Sequence, residues 1–402
     1  MSGIVTLLIG HGLTAGLTFA RNLLLARFLG LEDYSVAIIL SLVISAVELM
    51  TSIGIPQLCV SHPRGGSRQM QAGLHGMQII RGIFGGVLIL ILAHPLAHAL
   101  EITRHVSLLM WSALIPIVMG FCHLDPFRAQ RTGRHLRYTL FLIVPAAVSV
   151  SVVVIYGKAL LQPEVMLFAL IAHAIGATLI SHALALHRYQ FHVRKALVVK
   201  TLRYGMPIAA NGALLFAVLH LEKLIAGHAL GLPELGLVAM GATLTLTPFL
   251  IASKSFQAYH LPRLRHRPEA ALLPLLAQAA IAAVLIALPT IVAAQYALSI
   301  LADGFQALGP LLHLFVLVAA VRLPKSALST LALARGQTRL PVWANLPRLL
   351  AAPAIWYALS HGGSIETLLY LALLSECAGL VLGLMLALRL EGRPNSMRAA
   401  LP

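Results

Sequence analysis

The sequence predicts an all-α polytopic membrane protein of about twelve transmembrane helices in two six-helix lobes. Three observations carry that reading. Of the 402 residues, 59% are hydrophobic and only 10% charged, whereas soluble domains run near a quarter charged. Apolar runs of about 20 residues, the length a helix needs to cross a bilayer, recur from end to end. Basic residues gather in every second loop instead of spreading evenly.

The hydrophobic runs place spans at roughly 3–29, 34–60, 74–95, 106–124, 138–156, 164–186, 204–227, 234–253, 270–294, 308–332, 341–359 and 365–388. The first run is too long for the apolar core of a signal peptide, and no small-residue cleavage site follows it, so it reads as the first span. With both termini cytoplasmic, the inside loops are 61–73, 125–137, 187–203, 254–269, 333–340 and the tail from Arg389. These carry twenty Lys and Arg, against Arg104 and Lys158 alone in the opposite loops. Glu32, Asp33, Glu101, Glu164, Glu234 and Asp303 lean the other way. Cytoplasmic loops of membrane proteins collect Lys and Arg, so the asymmetry orients the chain. It also accounts for most of the net charge of +16, which is therefore no sign of nucleic acid. Cys59, Cys122 and Cys377 lie far apart, with no CxxC and no metal-ligand spacing, and read as reduced structural residues.

The chain also repeats itself. LGLEDYSVA (Leu29–Ala37) leaves the first span and LGLPELGLVA (Leu230–Ala239) leaves the seventh, both on the outer side. RAQRTGRHLR (Arg128–Arg137) follows the fourth span and LARGQTRLP (Leu333–Pro341) the tenth, both inside. The separation is about 200 residues each time. Six spans per half give the halves the same orientation, a parallel repeat about an axis along the membrane normal. The expected organisation is an N-terminal lobe over 1–190, a basic cytoplasmic linker over 191–203, a C-terminal lobe over 204–388 and a cytoplasmic tail over 389–402. The segment HRYQFHVRKALVVKTLRYG (His187–Gly205) suits an interfacial helix with Lys and Arg toward the headgroups. Two lobes flanking a cleft is a transporter architecture. The outer loops are too short for a folded catalytic domain, and no GxxxxGK[ST] occurs, so the chain holds no ATPase module of its own.

Charges inside the spans cost about 2.5–3.5 kcal/mol each on insertion scales and usually face a cavity or a partner. Those here are Arg21, Glu48, Arg81, Glu222, Lys223, Arg322, Lys325, Arg348 and Glu376. Arg27, near the outer end of its span, and Arg81 and Arg348, in the cytoplasmic third of theirs, fit snorkelling to the headgroups. Arg21 is deeper. His11, Thr14, Thr18 and Arg21 share one helical face, as the lining of a watery cavity would, or as packing hydroxyls beside an Arg paired with Glu48. Glu222 and Lys223 are neighbours pointing about 100° apart, so they are not each other's natural partners. By the repeat, Glu222 corresponds to Arg21. Glu222 therefore reads as a gating carboxylate bridging the lobes or as a buried structural partner. Arg322 and Lys325 stand three apart on one face, which is the best local evidence for an anion site, with neutralisation by Glu376 as the competing account. His11, His173 and His220 can carry protons or simply pack. Pro207, Pro248, Pro324 and Pro353 can kink their helices, as hinges or as packing features.

The order and spacing of several motifs resemble the oligosaccharide flippases of the multidrug/oligosaccharidyl-lipid/polysaccharide (MOP) exporter superfamily, whose drug-exporting branch is the MATE transporters. The pieces are RNLLLARFLG, LEDYS and SIGIPQ, then a third span opening QMQAGLHGMQIIRGIFGGVLILILAHPLA, and YGMPIAANG at the seventh. Two features depart from the family pattern: Ser35 stands where a Gly usually follows the turn Tyr, and many members have fourteen spans. The resemblance implies a Wzx-type translocase of undecaprenyl-pyrophosphate-linked oligosaccharide in the bacterial inner membrane, working by alternating access in O-antigen or exopolysaccharide biosynthesis. It implies that the first Arg of the first-helix motif, here Arg21, holds the pyrophosphate. Lys223, Arg322 and Lys325 join it on local reasoning. His11, Thr14 and Thr18 are expected to line the cleft, and Glu48, Glu222 and Glu376 to act as gating or ion-pairing carboxylates. No catalytic residue, metal or cofactor is expected, beyond a coupling ion, H⁺ or Na⁺. Expected partners are the lipid-linked glycan, membrane lipids, a polysaccharide polymerase and glycosyltransferases, with no nucleic acid. The competing readings are a MATE-type drug/cation antiporter, whose cleft should carry unpaired carboxylates, and a non-transporting scaffold of a glycan-assembly complex.

Overall fold

The computed structural model describes residues 3–193, 195–266, 272–335 and 340–391. Residues 336–339 of the second basic repeat motif, Arg194, Arg267 and the tail with Arg393 and Arg398 lie outside them.

The regular structure of the described residues is helical: α1 (Gly3–Phe28), α2 (Leu31–Met50), α3 (Ile55–Ser61), α4 (Arg68–Ala99), α5 (Val106–Ser112), α6 (Leu114–Gly120), α7 (Asp125–Arg131), α8 (His135–Leu160), α9 (Glu164–Ala183), α10 (Lys195–Ala229), α11 (Leu232–His266), α12 (Leu272–Leu298), α13 (Leu312–Ala334), α14 (Leu340–Ser360) and α15 (Ile365–Glu391). Among the described residues nine helices are long and apolar enough to cross a membrane, or ten if the segment Thr103–Gly120 with Asp125–Arg131, bent by 51°, counts as one broken span. The runs expected at 3–29 and 341–359 are helical too, as α1 and α14, but are not among the nine.

Local chemistry explains where the helices start and stop. Glu32 and Asp33 occupy the first turn of α2 and Glu164 that of α9, where carboxylates complement the helix dipole. The run expected at 34–60 is interrupted. Thr51 caps α2, Gly54 adopts φ 69°, a conformation that favours glycine, and Pro56 sits in the first turn of α3. Ser35 does not form part of a turn. It lies inside α2 at 0% exposure, and its hydroxyl donates to the Leu31 carbonyl at 2.7 Å.

The basic linker also differs from expectation. Residues 187–193 are not helical, and α10 begins at Lys195 and runs on as one helix of 35 residues. The cause is a set of tertiary hydrogen bonds. Asp125 accepts the Leu186 and His187 N–H groups, the His123 ring bonds the His187 carbonyl, and the His192 N–H donates to the Ala72 carbonyl.

The chain divides into two compact units. Unit 1 comprises Met1–Leu221, Gly231–Gly236 and Leu301–Gly304, and unit 2 comprises Glu222–Leu230, Leu237–Ile300 and Phe305–Pro402. In unit 1, α1 packs on α8, α8 on α9, and α4 on α5 and α6. Glycines of α4 allow that last approach: a Cβ on Gly82 would meet the Pro116 carbonyl and Gly120. The two outer repeat motifs meet within unit 1, where Gly236 lies against Ser35 and Leu31. In unit 2, α12 packs on α13, and α13 and α14 on α15, around a core that includes Phe249, Leu275, Val316, Leu323 and Leu328. Cys59 and Cys122 are buried, Cys377 is exposed, and none forms a disulfide.

Candidate functional site

In unit 1, α1 carries the polar stripe. The Thr14 hydroxyl donates to the Gly10 carbonyl at 2.8 Å and that of Thr18 to the Thr14 carbonyl at 2.9 Å. Each thus bonds its own helix four residues back and keeps its lone pairs for another donor. The His11 ring stands edge-on to Tyr138, with centroids 6.1 Å apart. Arg21 is only 8% exposed. Its Nη1 donates to Ser149 Oγ on α8 at 3.2 Å, and its Nε has no hydrogen-bond partner. Tyr34 and His173 lie in its electrostatic surroundings. A buried guanidinium with one neutral partner is expensive unless an anion or water joins it.

Glu48 is not that partner, which removes the alternative pairing that the sequence offered. It faces the charge of Arg81 instead. Arg21 precedes the α1–α2 turn by eight or nine residues, whereas Glu48 follows it by about eighteen, a mismatch of roughly 15 Å along antiparallel axes. Arg81 is half-buried near that carboxylate. Arg27 is exposed in the last turn of α1.

In unit 2 the charges converge. Glu376, on α15 and 0% exposed, accepts from Arg322 Nε at 2.8 Å, from Lys325 Nζ and from Arg348 Nη1. Arg348 turns its other terminal nitrogen to Glu222 Oε2 at 2.9 Å. Both ends of the guanidinium are therefore engaged, a use of its fork that Lys cannot reproduce. Glu222 Oε1 is buried without a hydrogen-bond partner. Lys223 makes no hydrogen bond or ion pair among the described residues, as its angular offset from Glu222 implies.

Arg322 and Lys325 are thus neutralised in part by Glu376, but not completely. Three cations, Arg322, Lys325 and Arg348, meet two carboxylates, Glu222 and Glu376, which leaves one excess positive charge before Lys223 is counted. Such an arrangement can hold an anion at modest reorganisation, because the cations are already desolvated and oriented.

Arg348 is the residue that sequence reasoning passed over. Its depth in the span suggested snorkelling, yet it is 7% exposed and links both carboxylates. The available signal was two intramembrane carboxylates in one half of the chain, each in need of a cation. Ser149 gave no signal, being one of two serines in a long apolar helix. Among the described residues no group of three His, Cys, Asp or Glu side chains is placed to hold a metal.

Comparison with known proteins places this geometry in context. A family model described as polysaccharide biosynthesis protein matches residues 24–303. No curated protein sequence gives a match. Among solved structures, the chain is similar to an inward-facing multidrug resistance MATE family transporter of the MOP superfamily, with a TM-score of 0.70 at 14% identity, over 97% of this chain and 99% of that one. It is similar to a eukaryotic MATE transporter, with a TM-score of 0.59 at 14% identity and 96% of each chain covered. It is also similar to a MOP superfamily transporter from Pyrococcus furiosus, with a TM-score of 0.54 at 15% identity, over 97% of this chain and 95% of that one. The binding pocket of that protein is described as reversed in polarity, suggesting a different function.

Proposed function

The chain belongs to the polysaccharide biosynthesis protein family and has the fold of MOP superfamily transporters, and from this premise we propose that it translocates a polyprenyl-pyrophosphate-linked oligosaccharide across the bacterial inner membrane. The observation that carries the reading is the excess of buried cations over carboxylates. Arg322, Lys325 and Arg348 share Glu376 and Glu222, while Arg21 has, among the described residues, a hydrogen bond to Ser149 alone. A pyrophosphate brought into an apolar protein needs preformed cationic donors, and both units supply them. His11, Thr14 and Thr18 add polar groups along the face that leads to Arg21.

In the proposed arrangement twelve helices span the bilayer in two repeated lobes with both termini cytoplasmic. α1 and α14 complete the count, and the polyprenyl chain stays in lipid. Translocation is by alternating access driven by an H⁺ or Na⁺ gradient, in a pathway with glycosyltransferases and a polymerase as partners and O-antigen or a related surface polysaccharide as product. A drug/cation antiporter is less well supported, because such a site wants open carboxylates and Glu376 is engaged by three cations. The reversed pocket of the Pyrococcus furiosus transporter indicates that pocket polarity is not uniform within the superfamily.

The test is complementation of surface glycan in a strain lacking the gene. Arg21→Ala and Arg322→Gln are expected to abolish export while membrane levels of the protein stay within twofold or so of wild type. Arg21→Lys is expected to retain partial export, since it keeps the charge and loses the fork. Normal export by Arg21→Ala with Arg322→Gln would refute the proposal.

A further inference from the structure

The basic loop of the first repeat motif builds something that substrate translocation does not require. Positive-inside loops ordinarily carry solvated charges with no common focus. Here unit 1 holds two adjoining pockets of about 200 and 380 Å³ that share Leu186 and His187, the first bordered by residues of 125–137 and the second by the start of α4 and residues 186–190. Each is many times the roughly 30 Å³ that a water molecule occupies. Arg128, Arg134 and Arg137 line the first, and Arg68 and Arg188 the second.

Two long helices add their N-terminal ends to this concentration of charge. α8 starts at the first cavity with Arg134 as its cap residue and no side-chain cap, and α4 starts at the second. At α4 the Ser67 hydroxyl oxygen accepts the Met70 N–H at 3.3 Å; the uncapped N–H groups of α8 and the dipoles of both helices favour an anion at the same places.

The one carboxylate in the first cavity does not cancel these cations. Asp125 Oδ2 already accepts the Leu186 N–H at 2.6 Å and the His187 N–H at 3.0 Å, and Arg128 Nη1 stays 3.9 Å from Oδ1. Arg128 instead lies 2.7 Å from His187 Nδ1, the same nitrogen that stands 3.1 Å from Asp125 Oδ2. One ring nitrogen cannot accept from Arg128 and donate to Asp125 together, so one of the two contacts is always unsatisfied. Arg134 and Arg188 are exposed and make no hydrogen bond or ion pair among the described residues. Arg131, by contrast, is spent on the carbonyls of Val60, His62 and Pro63, as a structural cap of the 55–63 segment.

We infer that the paired cavities around His187 form a phosphate-binding site, separate from the intramembrane cations, for a phosphate or diphosphate group at the membrane surface. Arg128, Arg134 and Arg137 take one phosphoryl group, Arg68 and Arg188 the adjoining one, and Arg128 leaves the contested His187 nitrogen for the anion. The same chemistry could be delivered by an anionic phospholipid headgroup or by a water-soluble diphosphate.

The test uses the full chain in nanodiscs of neutral phosphatidylcholine, with inorganic pyrophosphate titrated and followed by ³¹P line broadening. Arg134→Gln with Arg188→Gln is the informative variant, since neither side chain supports the fold. It is expected to weaken binding roughly tenfold or more, whereas Arg104→Gln, in a loop remote in sequence, leaves it unchanged. Nanodiscs containing phosphatidylglycerol separate the sources. Loss of wild-type pyrophosphate binding in them assigns the site to lipid headgroups, and unchanged binding assigns it to a soluble diphosphate. No saturable binding in neutral discs, equal binding by the double variant, or equal loss in Arg104→Gln would overturn the inference. Because Arg21 and Arg322 stay intact in the double variant, failure here is distinguishable from failure of the translocation proposal.

Discussion

Arg348 donates to Glu376 from one terminal nitrogen and to Glu222 from the other, so one guanidinium joins α14 to both carboxylates of the charge cluster. The pairing makes the stability of this cluster depend on its charge balance. Removing one member of a buried ion pair costs about 3–5 kcal/mol, because its partner is left desolvated and uncompensated.

Glu376→Gln is therefore expected to be the most damaging single neutralisation in unit 2, since it leaves Arg322, Lys325 and Arg348 facing one another. Arg348→Met should be damaging by itself, yet the double variant Glu376→Gln, Arg348→Met should be more stable than the two single losses predict when added. Melting in detergent would give a coupling energy above about 1 kcal/mol. Simple additivity would mean that the cluster is solvated and its contacts contribute little.

The contact between the outer repeat motifs predicts a second coupling. A Cβ on Gly236 would overlap Ser35 Oγ and crowd Leu31. Gly236→Ala should lower stability by about 1–3 kcal/mol through overpacking. Adding Ser35→Gly removes the obstructing hydroxyl and should recover part of that loss, despite a helix-propensity cost of about 1 kcal/mol. If Ser35→Gly lowers the melting temperature equally in both backgrounds, the two positions do not compete for the same space.

The proposed orientation has a direct chemical readout. In a Cys377→Ser background, which removes the exposed native thiol, Glu32→Cys and Ser364→Cys should react with a membrane-impermeant maleimide added to whole cells. Arg134→Cys should react only after the membrane is opened. Labelling of all three in intact cells, or of Arg134→Cys alone, would reject the twelve-span orientation. Ser35 is unsuitable as a reporter because it is buried.

Asp125 gives a pH dependence. Burial alone would raise its pKa. The His187 ring, the Leu186 and His187 N–H groups and the nearby His123 outweigh burial and hold the carboxyl below its ordinary value. A depressed folded pKa means that the carboxylate stabilises the fold above the unfolded value near 3.9, and that this contribution is lost as pH falls through the lower folded value. Protection of the Leu186 and His187 amides, taken relative to the intrinsic exchange rate at each pH, should thus fall below about pH 4 in wild type. In Asp125→Asn that protection should be low and nearly independent of pH over the same range. Matching acid profiles for the two proteins would show that other groups hold this loop.

The sequence alone determined the class of the molecule. Span-length apolar runs admit few structures besides transmembrane helices, because unpaired backbone groups cannot be left in lipid. The same logic located the intramembrane charges, since each is conspicuous against apolar neighbours. It also reached the break at Gly54 only as an unmarked Gly-Ile pair inside an expected span, because a single glycine does not reveal its backbone angle. The pairing of charges was decided by tertiary structure. Arg21 and Glu48 are opposite in sign and lie on consecutive helices, but they sit at different distances from the turn that joins those helices. Arg348 looked peripheral by depth and proved central, because α13, α14 and α15 bring it against Glu376 from positions far apart in sequence. The linker at 187–193 tells the same story. Its composition suited a surface helix, but hydrogen bonds from Asp125 and the histidines, 60 or more residues away, drew it into an irregular loop. Helix-forming tendency is local and readable one segment at a time. Which side chains share a desolvated space depends on axial register and packing between segments, and only the folded chain supplies those.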